Sequence, residues 1–284
     1  MRFDLVTLFP GFFDSTLRYG ILERALRSGL ASVHLHDLRN WTHDRHRTVD
    51  DRPFGGGEGM VLKPQPIFEC IESLGITPKA SRLSDQAAAR ESVILLSAGG
   101  RRFTQSTARR LATFDRVVLI CGRYEGVDER VTQLLVDEEL SIGDFVLSGG
   151  ELGAAVILDA TIRLIPGVLG HEDSSVYESF GLSDDPSEDS SDSSTAQTVS
   201  PRGVPRSTHG AGGLLDYPHY TRPADFRGVA IPEILSSGDH SAIRRWRRHA
   251  ALAKTLANRP DLLEQAELSD DDREYLAGLG YGLT

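Results

Sequence analysis

The chain has 284 residues, 39% of them hydrophobic, a length that allows one large domain or two. Taken alone, its net charge of -10 argues against nucleic-acid binding. The two cysteines, Cys70 and Cys121, form no C-x-x-C pair, so the sequence predicts neither a disulfide framework nor a zinc site and favours a reducing compartment. The sequence shows neither a secretory signal nor a membrane span, and we therefore expect a cytoplasmic protein.

Strands and helices alternate in the first part of the chain. Apolar residues at 2 to 8 predict a buried strand, and a helix capped by Asp14 or Ser15 is expected to end at Gly29. Residues 33 to 38 predict a second strand.

The middle of the chain continues this alternation. Further strands are predicted at 93–96, 117–121 and 145–147, and helices at 104–114, 127–139 and 151–165. The first two strands are apolar and β-branched, which is typical of parallel strands that are buried on both faces. The pattern therefore predicts an α/β domain with a parallel sheet.

The negative charge is concentrated in one segment that precedes the helical C-terminal part of the chain. Residues 171 to 200 contain eight acidic residues and no lysine or arginine. Residues 181 to 213 hold too few apolar side chains to offset the entropy cost of ordering, so we predict a disordered insertion there. From residue 218 onward the pattern is helical, with one helix at 241–258 and a last one capped by Ser269.

Two glycine-bearing segments follow predicted strands. Residues 122 to 130 come directly after the strand at 117–121, and residues 141 to 151 lead into a helix. Ligands of open parallel sheets bind just beyond the carboxyl ends of the strands, so the two turns are expected to lie side by side at a ligand site. From spacing alone, strand-to-helix loops without a ligand explain the same residues equally well.

Two further segments carry unusual residues. The loop at 39–66 includes four glycines in the five positions 55 to 59, which demand unusual backbone angles or a close partner, although a flexible surface loop accounts for them as well. The basic run at 244 to 249 is suited to phosphate contacts, and a solvated helix face is the alternative. His43 and His46 have no organised ligands near them, and a metal site there is not favoured.

Seven segments in one order carry a specific resemblance. They are Phe9-Pro10, residues 42–53, Gly55-Gly56-Gly57, residues 121–126, residues 141–151, residues 165–170 and residues 217–223. The sequence resembles the bacterial tRNA (guanine-N1)-methyltransferases, knotted enzymes that modify the guanine 3′ of the anticodon. The resemblance covers nearly the whole chain except residues 181 to 212.

The resemblance implies a fold and an assembly. It implies an α/β domain at 1–170 with a parallel sheet and a deep trefoil knot, an exception to the rule that chains do not thread loops. A linker with the acidic insertion would occupy 171–217, and a small all-helical tRNA-binding domain 218–284. The resemblance also implies an obligate homodimer with each active site at the subunit interface, where the linker and helical domain hold the anticodon stem-loop.

The resemblance also assigns residues to roles. The methyl donor S-adenosylmethionine would contact Ser97, Gly122, Glu125, Ile142, Gly143, Asp144, Phe145, Val146, Leu147 and Gly149. Contacts to tRNA would come from Asp50, Arg52, Gly55, Gly59, Arg222, Arg244 and Arg247. Glu178 and Arg163 would be catalytic, since guanine N1 carries a proton that a general base must remove and an arginine can stabilise the charge that develops. The family suggests Mg²⁺ dependence, but no ligand cluster in the sequence places a metal ion.

Two residues depart from the family pattern. Glu178 stands where the family has an aspartate, with Asp173 as a less favoured substitute, and Ser97 is followed by alanine where the family usually has proline. Two other functions therefore stay open at this point: a knotted methyltransferase for another RNA, and a non-catalytic RNA-binding relative. The acidic insertion is interpreted as an inert spacer, with a lid that repels nonspecific RNA as the alternative.

Overall fold

The computed structural model of the chain describes residues 1–84, 90–170, 178–181 and 212–282. It divides into two compact units, unit 1 at Met1–Gly170 and unit 2 at His171–Thr284. Most of the predicted linker at 171–217, with its acidic insertion, lies outside the described residues. Within the described parts, no helix combines the length and hydrophobicity needed to cross a bilayer.

Unit 1 is built on a five-stranded parallel sheet in the order β2-β1-β6-β5-β7. The strands are β1 (Arg2–Thr7), β2 (Ser32–Asp37), β5 (Glu91–Arg102), β6 (Arg116–Cys121) and β7 (Glu138–Ser141), while β3 (Asp50–Asp51) and β4 (Val61–Leu62) form a separate antiparallel pair. The helices of this unit are α1 (Gly20–Arg27), α2 (Pro64–Ser73), α3 (Lys79–Ser84), α4 (Gln105–Ala112), α5 (Glu129–Leu134) and α6 (Glu151–Ile162). The predicted parallel α/β sheet is confirmed.

Both faces of the sheet are buried. One face packs with α1, α4 and α6 in a core that includes Leu119 and Ile157, and the other packs with α2 and α5 in a core that includes Ile120 and Ile67. Successive side chains of a strand point to opposite faces, so the continuous apolar run of β6 supplies both cores. This explains why β6 could be predicted from its composition.

Several predicted elements are corrected by the structure. The helix expected to follow Asp14 or Ser15 begins only at Gly20, because two short 3-10 turns at Pro10–Phe13 and Thr16–Arg18 precede it and neither predicted cap bonds to the helix. Gly29 follows the end of this helix with a φ of 73°, as predicted.

The region after β6 also differs from its prediction. The helix expected at 127–139 ends at Leu134, and the chain then forms β7, because Leu140 and Ser141 are buried beside β5. The strand expected at 145–147 is wrong: Val146 is exposed and these residues form a loop. The loop expected at 39–66 contains β3 and β4, and α2 was missed because Pro64 and Pro66 in its first turn resembled loop residues.

Unit 2 contains a small helical core. Helices α7 (His240–Asn258) and α8 (Asp270–Gly278) pack through Leu252, Leu276 and the buried Leu214. A short hairpin of β8 (Asp225–Phe226) and β9 (Val229–Ala230) precedes them. Asp239 caps α7 and Ser269 forms a capping box on α8, so the predicted helix at 241–258 and the Ser269 cap are confirmed.

A buried carboxylate lies where β1, β2 and β6 run side by side. Asp4 is fully buried and accepts hydrogen bonds from Arg2 Nη2 at 2.8 Å, Arg116 Nε at 2.7 Å and His36 Nε2 at 2.7 Å. Burial alone would raise the pKa of the Asp4 carboxyl, but the hydrogen bonds from His36, Arg2 and Arg116 outweigh it and hold the pKa well below its usual range. The ion pairs therefore favour the charged form of Asp4 in the folded state.

This cluster predicts a specific dependence of stability on pH. Because the folded-state pKa of Asp4 is lowered, its contribution is present above the unfolded pKa of about 3.9 and is lost as the pH falls below that value. Asp4→Asn should lower the free energy of unfolding by about 1.5 to 3 kcal/mol at pH 7. The deficit should shrink as the pH falls from 4 toward the folded pKa, measured by denaturant unfolding at each pH. A deficit that stays constant down to pH 3 would contradict the assignment.

Candidate active site

A cavity of about 470 Å³ opens at the carboxyl ends of β6 and β7 and beside residues 95 to 99 in the middle of β5. Nine of the ten residues predicted to hold the methyl donor line it: Ser97, Gly122, Glu125, Ile142, Gly143, Phe145, Val146, Leu147 and Gly149. The tenth, Asp144, is not among the lining residues, and its exposed carboxylate pairs with Arg102. The structure thus brings together residues that are up to 52 positions apart in the sequence, from Ser97 to Gly149.

The first glycine turn, after β6, is held in place by its neighbours in the β3–β4 hairpin. Glu125 N donates to Met60 O at 3.0 Å, and Leu62 N donates to Gly126 O at 3.0 Å. Gly126 has a φ of 125°, a conformation that L-residues rarely adopt. The β4 strand therefore fixes the rim of the cavity.

The second glycine turn, between β7 and α6, lies against the first. Gly150 N donates to Gly122 O at 2.9 Å, and Arg123 pairs with Gly149 in an isolated antiparallel bridge. A Cβ on Gly150 would lie 2.7 Å from Cys121 Cα, so only glycine allows this approach of two backbones. The predicted side-by-side placement of the two turns is confirmed.

A buried carboxylate joins three segments below the cavity. Glu151, at the first turn of α6, accepts a hydrogen bond from Thr7 Oγ1 at 2.8 Å and pairs with Arg123 Nη2 at 3.3 Å. The Arg123 guanidinium lies over the Phe9 ring, 4.2 Å from its centroid. Sequence reasoning missed this network, although an acidic residue that opens an otherwise apolar helix was a signal for it.

The two residues predicted to be catalytic do not line the cavity. Arg163 caps the C-terminal end of α6, while the cavity touches the N-terminal end of that helix, and twelve residues of α-helix separate the two ends by about 18 Å. Glu178 belongs to unit 2, in a segment that pairs with residues 213 to 216: Phe180 N donates to Leu214 O at 2.8 Å.

The residues predicted to contact tRNA fall on three surfaces. Asp50 lies in β3, and the loop after it carries the exposed Arg52, Gly55 and Gly59, the last of which abuts the Glu125 side chain. Arg222 is exposed in unit 2.

The third surface is helix α7 of unit 2. Arg244 and Arg247 lie on it, and the Arg247 guanidinium lies 5.0 Å from the Tyr217 ring centroid. Arg248, in the same basic run, instead pairs with Asp272 at 2.7 Å and so has a structural role.

The described residues offer no grouping of three or more His, Cys, Asp or Glu side chains that could hold a metal ion. His43 Nε2 donates to the Glu69 carboxylate at 2.7 Å. Both cysteines are buried, and burial raises the pKa of the Cys70 thiol to about 12. The buried Cys70 thiol is therefore protonated near neutral pH and is not a candidate nucleophile.

Comparisons with known proteins agree with this geometry. Residues 1–265 match the family described as tRNA (Guanine-1)-methyltransferase TrmD. The chain belongs to this family. A tRNA (guanine-N(1)-)-methyltransferase of Koribacter versatilis is 55% identical over 282 residues, covering 99% of both chains.

Other members of the family match over nearly the same span. The proteins of the same name from Geobacter sulfurreducens and Geobacillus kaustophilus are 48% and 44% identical, with 98% and 97% of each chain covered. As a member of the tRNA (guanine-1)-methyltransferase family the chain is an enzyme, and the resemblance seen in its motifs is confirmed.

Proposed function

We propose that this chain transfers a methyl group from S-adenosylmethionine to N1 of the guanine that follows the anticodon of tRNA. The observation that carries the proposal is the cavity between the two glycine turns, in a chain whose relatives over its full length are named for this reaction. The rival functions, methylation of another RNA and RNA binding without catalysis, have no specific observation in their favour.

The cavity fits the proposed donor in size and in chemistry. Its volume of about 470 Å³ lies within the 300 to 1,000 Å³ of typical small-molecule sites. The glycine turns line it with residues 122–126 and with Ile142, Gly143, Phe145, Val146, Leu147 and Gly149. Backbone N–H and C=O groups of such turns can meet the donor and acceptor atoms at an adenine edge. Three carboxylates, of Glu125, Glu129 and Glu139, line the cavity together with one guanidinium, that of Arg123, which pairs with Glu151. This excess of negative charge favours a ligand with positive charge. S-adenosylmethionine supplies an electrophilic methyl group on a positively charged sulfur.

Glu178 and Arg163 are proposed to act on the guanine. The carboxylate of Glu178 takes the proton from N1, so that the N1 lone pair can form the new bond to carbon. The guanidinium of Arg163 donates to O6 and stabilises the negative charge that develops there. No step of the proposal is placed on Mg²⁺, and the described residues hold no cluster of three or more His, Cys, Asp or Glu side chains that would place the ion.

We propose a homodimer in which Arg163 serves the site of the second subunit. Gly153 lines the cavity, and the ten residues of α6 from Gly153 to Arg163 place the two about 15 Å apart along the helix axis of one chain. The outer face of this helix exposes Leu152 by 51% and Val156 by 47%, and the turn Pro10–Phe13, with the exposed Phe12, packs against the same helix. An apolar surface of this kind favours a second copy as its partner.

The chain path supports a knot in unit 1. Strand β7 lies at the edge of the sheet, beside β5, yet the segment after it returns to the centre, where Gly150 bonds to Gly122. We propose that this return forms the trefoil knot of the family.

The remaining parts of the chain are proposed to serve tRNA binding. Residues 218–284 and the loop after β3 would hold the anticodon stem-loop, and the segment 171–217 would link the two units. The enzyme would work in the cytoplasm, where tRNA is found.

A methyl-transfer assay tests the proposed function. The chain is incubated with S-adenosylmethionine labelled on the methyl group and with tRNA transcripts that carry G or A after the anticodon. We expect label only in the G transcript, at N1. Transfer to ribosomal RNA alone, or binding of tRNA without transfer, would replace the proposal by one of its two rivals.

The dimer is tested with variants of its proposed interface. Leu152→Asp combined with Val156→Asp places two charges on the apolar face of α6, and we expect the mass in sedimentation equilibrium to fall from two chains to one of 31.1 kDa. Val229→Asp, an exposed apolar residue of unit 2, serves as the control and should leave the mass unchanged. A wild-type chain that is monomeric at micromolar concentration would refute the proposed dimer.

A further inference from the structure

The side chain of Phe54 is 98% exposed, at the tip of the loop between β3 and β4. A phenylalanine in water forgoes the free energy that its burial would supply, about 1.5 to 3 kcal/mol. Among the described residues, the exposed rings of Phe9 and Tyr220 have a guanidinium or ring neighbour, whereas Phe54, like Tyr19, Tyr124 and Phe145, has no such contact and is the most exposed of these rings. The ring is therefore available to a partner outside the chain.

The base of this loop is fixed to the rim of the cavity. Asp50 pairs with Leu62 and Asp51 with Val61, which closes the hairpin. Leu62 in turn bonds to Gly126, and a Cβ on Gly59 would lie 2.4 Å from the Glu125 carboxylate, so the loop and the first glycine turn are in direct contact. Since Glu125 and Gly126 line the cavity, Phe54 stands on a loop that is anchored where the target base has to arrive.

The glycines beside Phe54 leave space around the ring. Gly55 and Gly56 have φ angles of 85° and 80°, and a Cβ at either position would meet no atom within 4 Å. Glycine suits both positions because L-residues rarely adopt such φ angles. The absence of side chains there has a further consequence. It keeps the loop backbone open beside an unpartnered aromatic ring, which lets a flat group approach closely.

The surroundings of Phe54 favour RNA over a protein partner. The neighbouring Arg52 is exposed and can meet a phosphate, and Phe54 stands alone among glycines instead of in a continuous apolar patch such as that of Leu152 and Val156. Single-stranded RNA is recognised by aromatic rings that stack on unpaired bases beside basic side chains. We propose that the Phe54 ring stacks on an unpaired base of the anticodon loop, an inference that rests on the proposed tRNA substrate.

The proposal predicts a selective loss of RNA affinity. Phe54→Ala should raise the Kd for a labelled anticodon stem-loop RNA by about 5- to 150-fold, the range of one aromatic–base stack. Phe54→Tyr should restore most of the affinity, and Phe54→Leu, which keeps an apolar group without a ring, should restore little. Tyr19→Ala removes another exposed ring of unit 1 and serves as the control. Fluorescence anisotropy gives the Kd, and calorimetry gives the affinity for S-adenosylmethionine, which should not change.

A second readout locates the stacked base. 2-Aminopurine, whose fluorescence is quenched by stacking, is placed at each loop position in turn, and one position should brighten in the complex with Phe54→Ala compared with wild type. Equal RNA affinity of wild type and Phe54→Ala would overturn the inference alone. A weaker affinity of Phe54→Ala for S-adenosylmethionine, or a fall of its mass from dimer to monomer, would also overturn it. In those cases the ring would contact the donor or the second subunit instead of RNA. If the wild-type chain itself does not bind the RNA, the proposed function fails as well.

Discussion

Replacing Glu178 with glutamine is expected to lower the rate of methyl transfer by about 100- to 10,000-fold. The amide has nearly the shape of the carboxylate, but it cannot accept the proton that must leave guanine N1. The affinities for S-adenosylmethionine and for tRNA should stay within about threefold of wild type, because the substitution removes a proton acceptor and not a binding surface. Single-turnover transfer of a labelled methyl group, with both substrates saturating, measures this rate.

Two further variants show whether the effect belongs to position 178. Glu233→Gln changes an exposed glutamate in the same unit and should leave the rate unchanged. Glu178→Asp shortens the side chain by one methylene, and a displacement of ~1 Å can cost about 100-fold in rate if the surrounding backbone is fitted to glutamate. If Glu178→Gln keeps more than half of the wild-type rate, another group is the base.

Replacing Gly150 with alanine is expected to lower kcat/KM for methyl transfer by about 100-fold, the effect of a displacement of ~1 Å at a reacting centre. The new Cβ would lie 2.7 Å from Cys121 Cα and 3.2 Å from Gly122 N, and both contacts are with backbone that has no other rotamer to adopt. The two glycine turns must therefore separate. Overpacking of this kind costs about 1 to 3 kcal/mol, so the thermal midpoint should also fall by several degrees.

Gly153→Ala provides a matched control in the same helix. Its Cβ would meet Leu96 Cδ1 at 3.6 Å and Ile142 Cγ2 at 3.8 Å, which are ordinary contacts, and alanine favours the helix interior over glycine by up to about 1 kcal/mol. The thermal midpoint should be unchanged or slightly higher in differential scanning fluorimetry. If both alanine variants lower it equally, the close approach at Gly150 is not the cause.

Part of the sheet was predictable because β1 and β6 are short apolar runs that are buried along almost their whole length, which leaves a local signal. Strand β5, predicted at 93–96, extends over Glu91–Arg102, and its second half is largely exposed. Strands β1 and β6 and helices α4 and α6 lie within a few residues of their predicted bounds. The predictions fail where contacts with distant parts of the chain determine the secondary structure. Residues 145–147 are apolar because they line the cavity and not because they form a strand, and β7 forms within a predicted helix because β5 offers it an edge.

The site was predictable only in part, for a similar reason. The glycine turns are local, and nine of the ten residues expected to hold the donor line the cavity. The contact of Thr7 with Glu151 joins positions 144 residues apart, and no spacing rule connects them. The distance of Arg163 from the cavity is likewise visible only once α6 is known to run away from it.

The direction of α6 has a consequence for genetics. If each reaction centre draws its donor turn from one polypeptide and its arginine from the other, a cell with one intact and one impaired copy of the gene would assemble mixed pairs as well as pure ones. A substitution at either end of this helix would spoil one centre of every mixed pair. The other centre of that pair stays intact, so such an allele would be no more dominant than one that makes no protein. Two alleles impaired at opposite ends of the helix would instead complement each other, because one centre of each mixed pair would receive both of its parts intact.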